Sequence, residues 1–256
     1  MKRLLPLVLT AVFFLSGCSV DGGLSAEVPK DVFTEETEAF TEFEEQTETS
    51  ETTVCETIVE TEEPEKSVDV VSSLAKEDFL IPFEKYSWER EFDIEYVVIH
   101  FTSNVVNSKE APYDIDKVKE IFETTEVSTN YIIDRDGSIK CYIPENYAAW
   151  HAGKGTFADD EKYTNKMNKY SVGIELLAIG SANDMKTYLS AYEYGLLDKE
   201  FIGFTDEQYV SLKELLKDIC QRNSIPYDRQ HIIGHDEYNP QKSDPGELFV
   251  WDRLFE

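Results

Sequence analysis

Positive charge is what this chain lacks most. It has 24 Lys and Arg residues against 52 Asp and Glu, a formal net charge of −28. Nucleic acid is thereby excluded as a partner, because a polyanion is repelled and the counterion release that drives such binding needs a basic surface. Cysteine is scarce too. Cys18, Cys55, Cys141 and Cys220 are irregularly spaced and form neither a disulfide framework nor a CxxC zinc module. The apolar run from Leu4 to Leu15 is too short for a comfortable membrane span. Histidine is limited to His100, His151, His231 and His235, so imidazole chemistry is confined to these positions. What remains, 41% hydrophobic and 12% aromatic residues in a 256-residue chain, is ordinary for a globular core and allows one large domain or two small ones.

The N-terminus has the layout of an export signal: basic Met1-Lys2-Arg3, the apolar run, then Leu15-Ser16-Gly17-Cys18. The last four residues resemble the bacterial lipobox. That resemblance implies cleavage before Cys18, lipidation of Cys18, and a membrane-anchored lipoprotein facing the cell wall. An ordinary secretory signal with an incidental cysteine is the other reading. Residues 1–18 are a signal peptide in both. Residues 19–79 follow as a linker rich in Thr and Glu. Between Ser19 and Glu65, 16 acidic residues face one lysine, Lys30. Such a stretch buries too little apolar area to offset its ordering entropy. It is predicted to be a self-repelling tether reaching about 40 Å; an acidic recognition tail is the alternative. Cys55 has no local partner.

The folded part is assigned to residues 80–256, with order beginning between Val68 and Tyr86 and an arm containing Pro82, Phe83, Tyr86 and Trp88 wrapping onto the domain. Glu95 to Thr102 is a β-branched run typical of a strand buried on both faces. Asp114 to Thr125 places Ile115, Val118, Ile121 and Phe122 at helical spacing. Thr129–Asp134 and Ser138–Ile143 flank Arg135-Asp136-Gly137, a hairpin signal. Tyr170 to Ala178 is a further strand with a carboxylate, Glu175, inside an apolar run. A short helix is predicted around Tyr188 to Tyr194, within an insertion from Ile179 to Gly203. Thr205 and Gln208 have the capping-box spacing, and a helix then runs to about Asn223 with Tyr209, Leu212, Leu215, Leu216 and Ile219 on its core face. Cys141 and Cys220 both fall at core positions, as a disulfide or as two buried thiols. The expected fold is α/β, a single domain with a central mixed β-sheet flanked by helices.

Two histidines plus a carboxylate, with a fourth position open to water, form a common hydrolytic zinc arrangement. His235 and Asp244, in the segment Gly234-His235 to Pro245-Gly246, supply two such groups. On pattern alone a histidine at a strand end serves hydrogen bonding more often than metal binding. Five ordered motifs add a resemblance: Val97-Val98-Ile99-His100-Phe101-Thr102, Ser128 to Gly137, Ala149-Trp150-His151-Ala152-Gly153, Ser171-Val172-Gly173-Ile174-Glu175-Leu176, and Gly234-His235 followed by Pro240, Lys242, Asp244, Pro245 and Gly246. Across Tyr96 to Trp251 the chain resembles the zinc-dependent N-acetylmuramoyl-L-alanine amidases, which share a fold with phage lysozyme-type amidases and peptidoglycan recognition proteins.

The resemblance implies zinc bound by His100, His235 and Asp244, Glu175 as general base, and Lys242 directed at the developing oxyanion. It implies peptidoglycan contacts from Trp150, His151 and Asn130, although a structural histidine is the alternative for His151. His231 has no assigned role beyond starting a strand. The implied activity is hydrolysis of the bond between N-acetylmuramic acid and L-alanine by a monomer anchored to the membrane through lipid. The rivals are a non-catalytic peptidoglycan-binding module and another zinc peptidase acting on stem peptides. Departures from the family pattern are Phe101 where many members carry a second histidine, Asn130 where histidine is frequent, and Thr129 where some relatives use a catalytic tyrosine. The last shifts the catalytic burden to Glu175.

Overall fold

The computed structural model describes residues 69–76 and 86–255. The signal peptide with Cys18, most of the linker with Cys55, and Pro82 and Phe83 lie outside them. Six strands form one mixed sheet. Among the described residues the strands are, in chain order, β1 (Ala75–Lys76), β2 (Ser87–Glu89), β3 (Tyr96–Thr102), β4 (Tyr131–Ile133), β5 (Ile139–Cys141), β6 (Tyr147–Ala149), β7 (Ser171–Leu177) and β8 (Ile232–Gly234). The spatial order of the large sheet is β1-β5-β4-β7-β3-β8, while β2 and β6 pair separately as an antiparallel ribbon. Strands β4, β7, β3 and β8 run parallel, and β5 is antiparallel to β4. The expected α/β fold with a mixed central sheet is the one observed.

The domain begins earlier than residue 80. Ala75 and Lys76 already pair with Ile139 and Lys140, and Ser72 N–H donates to the Tyr131 hydroxyl. At two residues, one of them a lysine, this strand is too short for any periodicity test. The hairpin has the expected register, Tyr131 opposite Cys141 and Ile133 opposite Ile139. Its turn needs Gly137, whose φ is 81° and whose missing Cβ would lie 2.8 Å from the Glu207 carbonyl oxygen.

The helices of the domain are α1 (Ile115–Thr124), α2 (Met167–Tyr170), α3 (Ala191–Gly195), α4 (Asp206–Asn223), α5 (His235–Tyr238) and α6 (Asp252–Phe255). None is long and apolar enough to cross a membrane. Asp114 caps α1, accepting from the backbone of Asp116 and Lys117, and Val118 and Phe122 are buried. Helix α3 starts three residues later than predicted. Ser190 and Glu193 form a capping box there, and that local pair sets the first turn. Helix α4 has the expected capping box from Thr205 and Gln208. Gln208 does more: fully buried, it donates from Nε2 to the carbonyls of Ile133 and Leu177, tying the helix to the ends of β4 and β7.

Strand alternation assigns the two faces of the sheet. Val97, Ile99, Ile174 and Leu176 pack with Leu212, Leu215, Leu216 and Ile219 of α4 in the largest core cluster. His100 follows Ile99 and Glu175 follows Ile174, and each therefore projects from the opposite face. Cys141 and Cys220 are both buried in the α4 cluster, and no disulfide joins the two.

Candidate metal centre

The site forms at the carboxyl ends of three parallel strands. His100 on β3 stands directly beside Glu175 on β7, as Cα partners in the ladder. β8 pairs with the other edge of β3 and ends at Gly234, so His235, the first residue of α5, emerges alongside. The chain then returns through the loop 239–247, and Asp236 N–H donates to the Asp244 carbonyl at 2.9 Å. The outcome is a cluster: His100 Nδ1 lies 2.7 Å from Asp244 Oδ2 and 3.1 Å from His235 Nδ1, and His235 Nδ1 lies 3.0 Å from Asp244 Oδ2. Among the described residues this is the one group of three or more His, Cys, Asp or Glu residues arranged to hold a metal ion.

The hydrogen bonds on the far side of each ring test whether a metal suits this cluster. His235 Nε2 lies 3.0 Å from the Ala152 carbonyl, which can only accept. Nε2 therefore carries the proton, and a neutral His235 turns a bare Nδ1 lone pair toward a carboxylate oxygen. Lone pairs at such separations repel unless a cation lies among them. Two neutral imidazoles and one carboxylate form the donor set that zinc accepts, with a fourth position left over.

Burial favours the neutral rings. It pushes His100 down to about 4, with charge repulsion from His235 adding to the effect. It pushes His151 well below the ordinary histidine value, with His100 and His235 contributing in the same direction. Burial alone would raise Asp244, but the combined attraction and hydrogen bonds of His235 and His100 hold it far below the usual carboxylate range. Glu175 goes the other way. Desolvation, reinforced by the charge on Asp244, raises its carboxyl well above 4.5, against the opposing pull of Lys242. Its Oε2 is buried without a hydrogen-bond partner. A carboxyl in that state is disposed to take up a proton.

The other predicted residues divide. Lys242, half-buried in the closing loop, is close enough to act electrostatically on both His100 and Glu175. His151 does not line an open cleft: it is buried, with Nδ1 3.0 Å from His100 Nε2. Trp150 packs on Trp88 of β2, ring centroids 5.1 Å apart. Asn130 is a correction. It is fully buried, its amide nitrogen donating to the carbonyls of Ile143, Pro144 and Tyr147 and its oxygen accepting from Gly173 N–H, so nothing is left for substrate. An asparagine after a serine and a threonine looks equally suited to a cleft and to a backbone clamp, and only the packing separates the two. His231 stands apart, paired with Asp228 at 2.7 Å and stacked on Tyr96.

Two residues near the site carry no sequence motif. Asp184, buried in the insertion, accepts through Oδ2 from the N–H groups of Ser181 and Glu247, while its carbonyl accepts from the Ser243 hydroxyl. It clasps the loop that carries Asp244. Tyr188, on the exposed side of the insertion, has its phenol pKa raised by burial and by the charges of Asp244 and Glu175.

Residues 90–247 match the family described as N-acetylmuramoyl-L-alanine amidase. The 1,6-anhydro-N-acetylmuramyl-L-alanine amidase AmpD of Haemophilus influenzae is 30% identical over 174 residues, covering 63% of this chain and 80% of that protein. The Escherichia coli protein of the same name is 29% identical over 129 residues, covering 50% of this chain and 56% of its relative. Among solved structures, a crystal structure of AmpD aligns with a TM-score of 0.49 at 22% identity, covering 72% of this chain and 93% of that one. The E. coli amidase AmiD, solved with anhydro-N-acetylmuramic acid-L-Ala-D-gamma-Glu-L-Lys, aligns with a TM-score of 0.47 at 27% identity, covering 63% and 56%. The match over residues 90–247 spans most of the chain and contains every residue of the cluster, and on that ground the chain belongs to the N-acetylmuramoyl-L-alanine amidase family.

Proposed function

We propose that this chain hydrolyses the amide between N-acetylmuramic acid and L-alanine in peptidoglycan, using zinc held by His100, His235 and Asp244. The observation that carries this reading is the convergence of three acceptor groups beside the buried, unpartnered Oε2 of Glu175. Zinc, when bound, supplies Lewis acidity, polarising an amide carbonyl and acidifying water. Glu175 takes the proton from the attacking water and passes it to the leaving amine of L-alanine. Desolvation raises the proton affinity of its carboxylate, which favours the first transfer. The Lys242 ammonium offsets the negative charge that develops on the carbonyl oxygen. Asp184 and the insertion hold the loop on which both Lys242 and Asp244 ride.

The test is incubation of the full chain with purified peptidoglycan, with and without a chelator. The expected result is release of new L-alanine amino termini that stops with chelator and returns with zinc. Retained binding without release would replace the enzyme with a binding module, and cleavage at another bond would make it a stem-peptide peptidase.

The same reading covers location. Cys18 would carry lipid, residues 19–79 would act as tether, and the domain would work as a monomer outside the cytoplasm on the cell wall. Metabolic labelling with palmitate, lost in Cys18→Ser, tests this. Labelling that survives the substitution refutes it.

A further inference from the structure

The Trp150-His151-Ala152-Gly153 element holds the back of both histidine ligands. Ala152 offers its carbonyl to His235 Nε2, and His151 offers Nδ1 to His100 Nε2 at 3.0 Å. The second contact is not an isolated pair. His151 Nε2 lies 3.2 Å from Ser171 Oγ, and Ser171 Oγ donates at 2.7 Å to the Met167 carbonyl.

That last bond fixes the direction of all the others. A backbone carbonyl cannot donate, so the Ser171 hydroxyl proton is committed to Met167. Ser171 Oγ is then left only as an acceptor, and His151 Nε2 must carry the ring proton. His151 Nδ1 is in turn an acceptor, and His100 Nε2 must donate to it. His100 is left with its lone pair on Nδ1, the atom that faces His235 and Asp244. One carbonyl in the first position of α2 thus selects the ring form of His100 three hydrogen bonds away. All three side chains are buried. The ring of His151 packs against Gly173 of β7, where an added Cβ would lie 2.5 Å from its Cγ.

We propose that His151 and Ser171 are positioning residues that hold His100 in the tautomer presenting Nδ1 to zinc, and that this is why the element contains a histidine. The proposal rests on the zinc reading above. It assigns His151 a role behind the metal rather than against the sugar or the peptide. A ligand held by such an outer partner typically loses tenfold to a hundredfold in metal affinity when the partner is removed.

The test compares His151→Asn with His151→Leu in the full chain. The two side chains have nearly the same shape, but only asparagine keeps an acceptor oxygen where Nδ1 stood. Zinc affinity is read by competition with a chromophoric chelator. Ring nitrogen shifts are read by NMR on the zinc-loaded chain, where the four histidines give four spin systems. The expected result is a loss of about tenfold to a hundredfold for leucine, retention within about threefold for asparagine, and a wild-type His100 protonated at Nε2 with Nδ1 on the metal. Equal affinities for the two variants overturn the proposal, since packing alone would treat them alike. Ser171→Ala serves if leucine fails to fold: a changed His100 ring shift and an affinity lower by a few-fold support the chain, and an unchanged ring shift refutes it. Wild-type protein that binds no zinc overturns the zinc reading together with this one, whereas normal wild-type binding with indifferent variants overturns this one alone.

Discussion

Glu175→Gln separates catalysis from structure. Gln has the size and shape of the carboxyl it replaces, and Glu175 is not among the three groups that converge as ligands. Zinc content should therefore stay at one per chain. If Glu175 moves the proton, turnover should fall about 10²- to 10⁴-fold, the usual range for a positioned general acid–base, which corresponds to about 3–5 kcal/mol of barrier. Stability should move the opposite way. The folded protein resists ionising Glu175, because its carboxyl is desolvated and faces Asp244. A carboxyl with a raised folded pKa binds its proton more tightly in the native state. Wild-type stability from this group is then fully present below about pH 4.5 and is lost as pH rises through the raised value, at about 1.4 kcal/mol per unit of displacement. Glutamine does not titrate and avoids that loss. The metal-free variant should melt above wild type at pH 7, with the gain fading toward pH 4.5. Calorimetry in chelator measures the second effect, and amino-terminus release from peptidoglycan measures the first. Turnover above about a tenth of wild type would refute the base assignment. A variant that melts lower at pH 7 would refute the picture of a desolvated, strained carboxyl.

Other outcomes follow from particular contacts. In metal-free protein on the Glu175→Gln background, stability should fall as pH drops from 6.5 to 4, because unfolding lets a buried His100 held at about 4 take up a proton. His100 alone accounts for about 3 kcal/mol, His151 acts in the same direction, and a flat profile would refute the burial argument. Asp184→Ala removes the acceptor for Ser181 and Glu247 N–H and should lower zinc affinity about tenfold while leaving the α4 core intact; unchanged affinity would show that the clasp does not reach Asp244. Thr205→Ala should cost about 1–2 kcal/mol, read as a melting shift of a few degrees with normal activity, since it breaks the α4 capping box and the hydroxyl's bond to the Arg135 carbonyl, both away from the metal cluster. Lys242→Met should keep zinc and lower turnover about 10²-fold, and a change in substrate affinity alone would move Lys242 from oxyanion stabilisation to binding.

Much of the fold was legible because its signals are local. The Thr205/Gln208 capping box, the helical spacing of Leu212, Leu215, Leu216 and Ile219, the Asp-Gly turn and the β-branched run of β3 each lie within one element, and each reappears in the structure. The two-residue strand β1 did not show, because its stability comes from pairing with β5 and from Ser72 bonding to Tyr131. The onset of α3 is set by the Ser190–Glu193 capping box, which falls inside the predicted span rather than ahead of it.

Sequence by itself determined the cast of the site: four histidines to choose from, a carboxylate in an apolar strand, and ordered motifs that single out His100, Glu175, Lys242, His235 and Asp244. Tertiary structure decided what each one does. The parallel register set His100 beside Glu175, and the order of β7, β3 and β8 brought His235 up to meet them. Burial removed Asn130 from any cleft and set His151 behind the ring of His100. The insertion gained a purpose through Asp184, whose partners lie 59 and 63 residues away along the chain. The physical reason is the same in each case. Spacing along a strand or helix specifies which way a side chain points, but the partner that accepts its proton, or excludes its water, arrives from elsewhere in the chain and is fixed only when the layers pack.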